Sequence, residues 1–393
     1  MSEPIKTVAL KKICKVDSGA GFPLEYQGRI DQDYPFFKVG DMNSPGNEQC
    51  MMNFQHTVSE SIRKKLNAIA FPAGTIIFPK IGAAIATNKK RILQRPSCVD
   101  NNVMALVPSH NIDGEYLFYL LLNTDLSTFA STGNPPSIRK STIQEWKVLL
   151  PSLDEQKRIA TILAKADRLR RLRRFALAMS GDYLQAVFLE MFGDPVTNPM
   201  GLPAVLFGEV CETRLGKMLD AKQQTGENKR PYLRNVNVQW SKIDLSDLQE
   251  MDFDEREREI LRLKKGDVLI CEGGEVGRAA IWNDELLECY YQKALHRARP
   301  NPKKAIPEYI LWLMKCLADY GGLGDFTSQV TIAHLTGVKL KQIEFPLPPL
   351  KKQQQFTQIV HQYERLRTQQ REALRQAEHL FQTLLHQAFN DEL

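Results

Sequence analysis

Residues 154–191 contain no proline and place apolar or small side chains at alternating steps of three and four. Asp154 at the expected start and the Gly193-Asp194-Pro195 run after the end are typical start and stop signals of a helix. One continuous helix here would be about 57 Å long, and the spacing favours a coiled coil. The predicted contact positions are Ile159, Ile162, Ala166, Leu169, Ala176 and Val187.

Residues 351–390 repeat this pattern near the C-terminal end. The matching contact positions are Phe356, Ile359, Tyr363, Leu366, Ala373, Ala377, Leu380 and Leu384. We expect the two helices to pair in an antiparallel manner, so that the middle positions Arg173 and Gln370 share one polar layer that fixes the register. Alternatively, Arg173 extends into solvent and the helix pair merely tolerates Gln370.

The repeat continues through the globular parts of the chain. Each copy has short β-branched runs bounded by glycine and one short apolar helix, a pattern typical of an α+β domain. The predicted organisation has pseudo-twofold symmetry: a first domain over 1–150, a helix over 151–194, a second domain over 195–347 and a helix over 348–393. The matching segments are 8–19 with 205–216, 71–82 with 263–274, and 115–123 with 308–316.

Composition adds few constraints. A net charge of +6 permits a nucleic-acid partner without requiring one. Seven scattered cysteines without a CxxC pair indicate a reducing compartment rather than a disulfide framework or a zinc site. No apolar run has the length of a signal peptide core or a membrane helix, so we expect a cytoplasmic protein.

Catalytic motifs are missing from the sequence. It contains no GxxxxGK[ST] phosphate loop, and its seven histidines form no metal-binding spacing. The run Asn134-Pro135-Pro136-Ser137 is similar to the Asn-Pro-Pro-aromatic motif of amino-methyltransferases, but Ser137 replaces the aromatic ring. The sequence therefore predicts neither a catalytic site nor a metal site.

Basic and amide side chains cluster in the predicted loops of both copies. Arginine and lysine suit phosphates, and arginine, asparagine and glutamine suit base edges. We therefore predict DNA binding by two similar but diverged domains, against the alternative that each charge is simply solvated. The candidates are Lys38, Lys80, Asn88, Lys89, Lys90, Arg91, Arg139 and Lys140 in the first copy, and Arg214, Lys217, Arg234, Asn235, Arg278 and Gln329 in the second.

In this order of elements the chain resembles the specificity subunits of type I restriction–modification systems. The resemblance covers nearly the whole chain and is carried by LLPSLDEQKRIATIL (149–163), FLEMFGDPVTNPMGLP (188–203) and FPLPPLKKQQQF (345–356). It implies two target recognition domains, each reading one half of a bipartite asymmetric site in double-stranded DNA. The second helix departs from the first at its start, with LKKQQQ in place of LDEQKR.

The resemblance also implies partners. The two helices would bind two modification subunits, which carry S-adenosylmethionine and methylate adenine, and a restriction/translocase subunit that uses ATP and Mg would join them. The chain itself would hold no cofactor and would not be catalytic. A related two-subunit methyltransferase/nuclease system and a coiled-coil scaffold without DNA binding are the alternatives.

An arginine stripe on the first helix has two interpretations. It is either a solvated face or a rim that faces DNA or an acidic partner. The stripe consists of Arg168, Arg170, Arg171, Arg173 and Arg174.

Overall fold

The computed structural model describes residues 6–179, 181–220, 224–324 and 334–390. It divides into two compact units: residues 1–175 with 372–393, and residues 176–371. We call them unit 1 and unit 2. Each unit therefore combines one globular domain with part of each helical region.

Unit 1 contains the first domain. Its strands are β1 (Lys6–Ala9), β2 (Cys14–Ser18), β3 (Tyr34–Phe37), β4 (Cys50–Met51), β5 (Thr57–Val58), β6 (Ile76–Pro79), β7 (Arg91–Leu93), β8 (Cys98–Val99), β9 (Val103–Pro108) and β10 (Lys147–Leu150). Its short helices are α1 (Glu60–Lys65), α2 (Gly114–Leu122) and α3 (Lys140–Glu145), and the long helix α4 (Leu153–Met179) follows.

Unit 2 contains the second domain. Its strands are β11 (Ala204–Leu206), β12 (Cys211–Leu215), β13 (Lys229–Leu233), β14 (Val238–Gln239), β15 (Lys242–Ile243), β16 (Gln249–Asp252), β17 (Val268–Cys271), β18 (Ala279–Ile281), β19 (Tyr290–Tyr291), β20 (Leu295–Pro300) and β21 (Glu344–Pro346). Its helices are α5 (Tyr183–Phe192), α6 (Phe207–Val210), α7 (Glu255–Leu261), α8 (Pro307–Asp319) and α9 (Gly337–Gln342), and the long helix α10 (Leu350–Phe389) follows.

The sheets of the two domains share one topology. The main sheet has the order β2-β9-β6-β7-β4 in the first domain and β12-β20-β17-β18 in the second. A three-stranded sheet, β5-β3-β8, corresponds to β16-β13-β19, and in both the central strand is antiparallel to one neighbour and parallel to the other. The pair β1-β10 corresponds to β11-β21. The predicted α+β fold with an internal repeat is confirmed.

The prediction of one continuous first helix is wrong. Helix α4 ends at Met179, and α5 begins only at Tyr183. Between them the Gly181 N–H donates to the Ala178 carbonyl at 3.1 Å, closing a turn. Glycine destabilises a helix interior relative to alanine, so a break at this position costs little. At about 1.5 Å per residue α4 is only about 40 Å long, whereas α10 is about 60 Å long.

The buried face of α4 also differs from the predicted seam. Ile159 and Ala166 are buried as expected. However, Leu163 is fully buried while Ile162 is only half-buried, and Leu169 is 40% exposed. Along the second half of α4, the buried face is therefore not the face that the apolar spacing predicts.

Polar contacts explain this rotation within unit 1. The Arg170 guanidinium lies 4.0 Å from the centroid of the Phe381 ring on α10 and donates to the buried Asp167 carboxylate at 2.7 Å. Arg171 pairs with the same carboxylate at 3.1 Å, and Arg174 pairs with Glu378 at 2.7 Å. Arg170 thus occupies the contact with α10 that an apolar residue would fill, and these three arginines of the stripe are engaged within the protein.

Helices α4 and α10 complete the core of unit 1, and α5 and α10 complete the core of unit 2. In unit 1, Leu163 of α4 and Phe381 of α10 lie in one buried cluster with Tyr116 of α2. In unit 2, the rings of Phe188 and Phe356 lie 5.5 Å apart beside α8. The helices are therefore part of each hydrophobic core rather than separate spacers.

A buried glutamine ties α4 to the first domain. The Gln156 side chain is 1% exposed. Its Nε2 donates to the Pro151 carbonyl at 2.9 Å, and its Oε1 accepts from the Asp113 N–H at 2.8 Å. Because Asp113 caps α2, one amide joins the turn before α4 to the start of α2.

Gln353 repeats this arrangement at the start of α10. Its side chain is fully buried. Its Nε2 donates to the carbonyls of Pro348 at 2.8 Å and Lys304 at 3.0 Å, and its Oε1 accepts from the Ile306 N–H at 2.9 Å. The two glutamines belong to the repeated motif that opens each long helix.

We expect Gln353→Ala to lower the free energy of unfolding by about 3 kcal/mol, because it leaves three buried backbone groups unpaired at about 1–3 kcal/mol each, partly relieved by relaxation. Urea unfolding followed by tryptophan fluorescence measures this change. Gln354→Ala, at an exposed position of the same helix turn, is the matched control. Equal unfolding midpoints for the two variants would contradict the stabilising role of the Gln353 hydrogen bonds.

Candidate nucleic-acid interface

The main sheet has one end joined to the long helix and one end pointing away from it. Strands β2 and β9 pair with Cys14 opposite Pro108 at one end and Ser18 opposite Met104 at the other. Pro108 leads towards α2, to which Gln156 ties α4. We call the opposite end the distal end. In the second domain it is formed by the ends of β12 and β17 and the start of β20.

A glycine follows the first strand of the main sheet at both distal ends. A Cβ atom on Gly19 would collide with the carbonyl oxygens of Val99 and Asp100. A Cβ atom on Gly216 would collide in the same way with the carbonyl oxygens of Tyr291 and Gln292. Only glycine allows this close approach, which brings the end of β8 or β19 against the distal end of the main sheet.

Two predicted lysines of the first domain flank the end of β2. Lys80 Nζ donates to Ser18 Oγ at 2.9 Å, and Lys140 Nζ pairs with Asp17 at 2.5 Å. Lys140 is exposed and Lys80 is half-buried. Burial lowers the pKa of the Lys80 ammonium.

Two further predicted residues lie beside them. Arg139 is exposed and follows Ile138, whose N–H donates to the Lys80 carbonyl at 2.8 Å. Lys38 lies next to Asp100, because the Asp100 N–H donates to the carbonyl of the residue before Lys38 at 2.9 Å. Burial raises the pKa of the Asp100 carboxyl. The structure thus brings Lys38, Lys80, Arg139 and Lys140 to one distal end.

The prediction that Lys90 contacts DNA is wrong. Its side chain is 1% exposed, and its Nζ donates to Asn88 Oδ1 at 2.6 Å and to the Thr124 carbonyl at 2.7 Å. Asn88 also accepts from the Leu126 N–H at 2.9 Å and has a left-handed backbone with φ of 53°. These two side chains anchor the loop before β7 to the end of α2.

The neighbouring basic residues also make internal contacts. Arg91 is half-buried and donates to the Met42 carbonyl at 2.9 Å. Lys89 Nζ donates to the side chain of Asn43. DNA contact by Lys89 and Arg91 stays a prediction.

In the second domain, Arg214 is exposed at the end of β12. Lys217 pairs with Glu257 and donates to the Asp252 carbonyl at 2.8 Å. Arg234 pairs with Asp247 at 2.5 Å. These residues lie near the second distal end, but two of the three cations already have an acidic partner.

Asn235 and Arg278 are joined by a hydrogen bond. Asn235 Nδ2 donates to the Gly273 carbonyl at 2.8 Å, and Arg278 donates to the Asn235 carbonyl at 3.0 Å and pairs with Glu275 at 3.1 Å. Gln329 lies outside the described residues.

The two register residues belong to different units. Arg173, in unit 1, is exposed, and Gln370, in unit 2, is half-buried. Gln370 Oε1 is inaccessible to solvent and accepts no hydrogen bond from the described residues. A shared layer stays a prediction.

Other chemistry is sparse. Within the described ranges no group of three His, Cys, Asp or Glu side chains could hold a metal ion. The seven cysteines are free, and burial raises the pKa of the Cys14 and Cys211 thiols to about 12. No helix in the described part of the chain is long and apolar enough to cross a membrane.

The comparison with known families matches both copies of the repeat. The model of the type I restriction modification DNA specificity domain matches residues 2–174 and again residues 205–376. The chain belongs to this family. It is the non-catalytic DNA-recognition subunit of a type I restriction–modification system, and its two domains are target recognition domains.

Curated relatives carry the same description. A putative type I restriction enzyme specificity subunit of Haemophilus influenzae is 23% identical over 271 residues, which are 68% of this chain and 68% of the relative. The EcoBI specificity subunit of Escherichia coli is 23% identical over 359 residues, 82% of this chain and 75% of the relative.

Solved structures share the fold. One, from a study of complex assembly and conformational transition of the type I system, matches the whole of both chains with a TM-score of 0.63 and 19% identity. The specificity subunit of M. genitalium matches with a TM-score of 0.57 and 14% identity over 98% of this chain and 96% of that one.

Sequence reasoning missed several residues at the distal ends. It sought cations and amides, so it passed over Asp100, whose position follows only from strand pairing. It also passed over Glu272, although the alignment of 71–82 with 263–274 places this residue at the position of Lys80. It also passed over the packing of Gly19 and Gly216, although their alignment in the repeat was a usable signal.

Burial lowers the pKa of Lys90 to about 8, from an ordinary 10.5. Between these pH values the unfolded chain binds a proton that the folded chain has released, so the free energy of unfolding rises with pH there, by up to about 3 kcal/mol. We expect Lys90→Met to remove this rise, measured by urea unfolding from pH 7.5 to 10.5. Lys89→Met should keep it, and parallel curves for wild type and Lys90→Met would contradict the assignment.

Proposed function

We propose that this specificity subunit directs its complex to a bipartite, asymmetric site in double-stranded DNA, with each recognition domain reading one half through its distal end. The supporting observation is a shared backbone with different side chains. Asp17 and Ser18 at the end of β2 correspond to Arg214 and Leu215 at the end of β12. Two domains that share a backbone but carry different side chains at this end are expected to read different half-sites.

The gap between the half-sites is proposed to follow from the long helices. Helix α10 has 40 residues. Its length of about 60 Å corresponds to about 18 base pairs at about 3.4 Å each. Two recognition domains joined by such a helix would read two half-sites and leave the intervening bases unread.

The helices are proposed to dock two modification subunits. On α4, Leu172 and Phe175 of unit 1 are 56% and 64% exposed, and Leu169 lies beside them one turn away. We call these three residues the unit 1 patch. Large apolar side chains exposed together are typical of protein interaction sites.

Unit 2 has an apolar patch of its own. Tyr183 and Leu366 are 51% and 57% exposed, and with Met179 they line a groove of about 390 Å³. One patch in each unit suits two copies of a partner.

Following the family resemblance, those partners would hold S-adenosylmethionine, and the restriction/translocase subunit would use ATP and Mg. We place the complex in the cytoplasm, a reducing compartment that suits seven free cysteines.

We expect the complex of this chain with its modification subunit to select a split DNA motif from a random duplex library. Two defined halves separated by a gap of fixed length are the expected result, because each domain contacts only its own half. Sequencing of the bound fraction measures binding and needs no methylation. Selection of one continuous motif, or of no motif by an intact complex, would contradict the proposal.

We expect the double variant Leu172→Ser with Phe175→Ser to weaken binding of a modification subunit at least about tenfold. Each buried large apolar side chain contributes about 1.5–3 kcal/mol, and about 1.4 kcal/mol is tenfold in affinity. Isothermal titration calorimetry measures the change. Lys165→Ser, at an exposed polar position of α4, is the control, and equal affinities for both variants would exclude the unit 1 patch as a docking surface.

A further inference from the structure

We infer that Lys80 and Glu272 are matched specificity residues that each read one G·C pair, a different pair in each half-site: Lys80 donates to an acceptor of guanine, and Glu272 accepts from the amino group of cytosine. This inference rests on the proposed function, since it requires that the distal ends face DNA. It assigns chemistry to one position in each half-site.

The backbone places Lys80 at a defined point of the first distal end. Its N–H donates to the Asn102 carbonyl at 2.9 Å, and its carbonyl accepts from the Ile138 N–H at 2.8 Å. Gly82 follows two residues later with φ of 72°.

Glu272 has the same backbone environment in the second domain. Its N–H donates to the Ala294 carbonyl at 3.0 Å, and its carbonyl accepts from the Leu335 N–H at 2.8 Å. Gly274 follows two residues later with φ of 75°. The two positions are therefore equivalent, and they carry opposite charges.

The Lys80 ammonium has donors that make no hydrogen bond with the described residues. Of its three donors, one is directed to Ser18 Oγ. No carboxylate of the described residues lies within ion-pair distance of it, although Asp100 contributes an attractive charge nearby. Its half-buried stem restricts the side chain, so less entropy is lost on binding. Lysine donors suit the O6 and N7 acceptors of guanine in the major groove.

Residue Glu272 is half-buried, and its carboxylate makes no hydrogen bond or ion pair with the described residues. Leu215, the counterpart of Ser18, offers it no hydroxyl. DNA phosphates repel a carboxylate, so this group favours binding only where it accepts from a base. The N4 amino group of cytosine is the donor that glutamate reads in the major groove.

The test compares the split motifs that wild type, Lys80→Met and Glu272→Gln select, each as the complex with the modification subunit. We expect each variant to lose about tenfold discrimination at one G·C pair, in a different half for each. 7-Deazaguanine at the first of these pairs should weaken wild type about tenfold and leave Lys80→Met unchanged. Lys12→Met and Glu250→Gln, both exposed, are the controls.

Three outcomes would overturn the inference while the wild-type split motif stands. Lys80→Met could weaken all sequences equally with a shallower salt dependence, which identifies a phosphate contact. Glu272→Gln could leave every position unchanged. Both variants could relax the same half. If wild type itself selects no split motif, the proposed function fails instead.

Discussion

The architecture depends on two buried amide side chains. Gln156 and Gln353 each hold the turn before a long helix against the start of a shorter one, with donors and acceptor satisfied by backbone. An apolar residue of similar size would leave buried carbonyl and N–H groups unpaired, which is costly. Tyr116 and Tyr309 reinforce the same junctions through hydroxyl bonds to the strand carbonyls that precede each helix. The orientation of each recognition domain on its helix therefore follows from a few polar contacts.

Under the proposed function, the separation of backbone contacts from side-chain chemistry at the distal ends explains how one fold can read different sequences. Backbone bonds and glycine packing define the distal end, so the side chains there carry little of the stability. Gly19 and Gly216 are the same in both copies because any Cβ would collide with backbone. Asp17 and Arg214, two residues before these glycines, differ in charge without disturbing the strand pairing. Specificity can change at these positions while the core stays the same.

Periodicity and repetition in the sequence are enough to predict part of the fold. The internal repeat, the α+β class and the two helical regions follow from these patterns. The break after Met179 was missed because one glycine is weak evidence against a long apolar pattern. Lys90 was misassigned because burial of a cation depends on partners such as Thr124, which are distant in sequence. The clustering of Lys38, Lys80, Arg139 and Lys140 required strand pairing that spacing does not reveal.

The contact between α4 and α10 in unit 1 is more polar than a coiled-coil seam. A buried ion pair such as that of Asp167 with Arg170 contributes little net stability, because desolvation offsets most of the attraction. It does fix which faces meet, since Asp167 buried without its arginines would be an uncompensated charge. Because Asp167 and Arg170 lie on the face of α4 that meets α10, Leu169, Leu172 and Phe175 face outward. Large apolar side chains exposed together favour being covered by another surface. Polar contacts towards its own chain and exposed apolar side chains on the other face are what α4 requires for the docking of a partner that we propose.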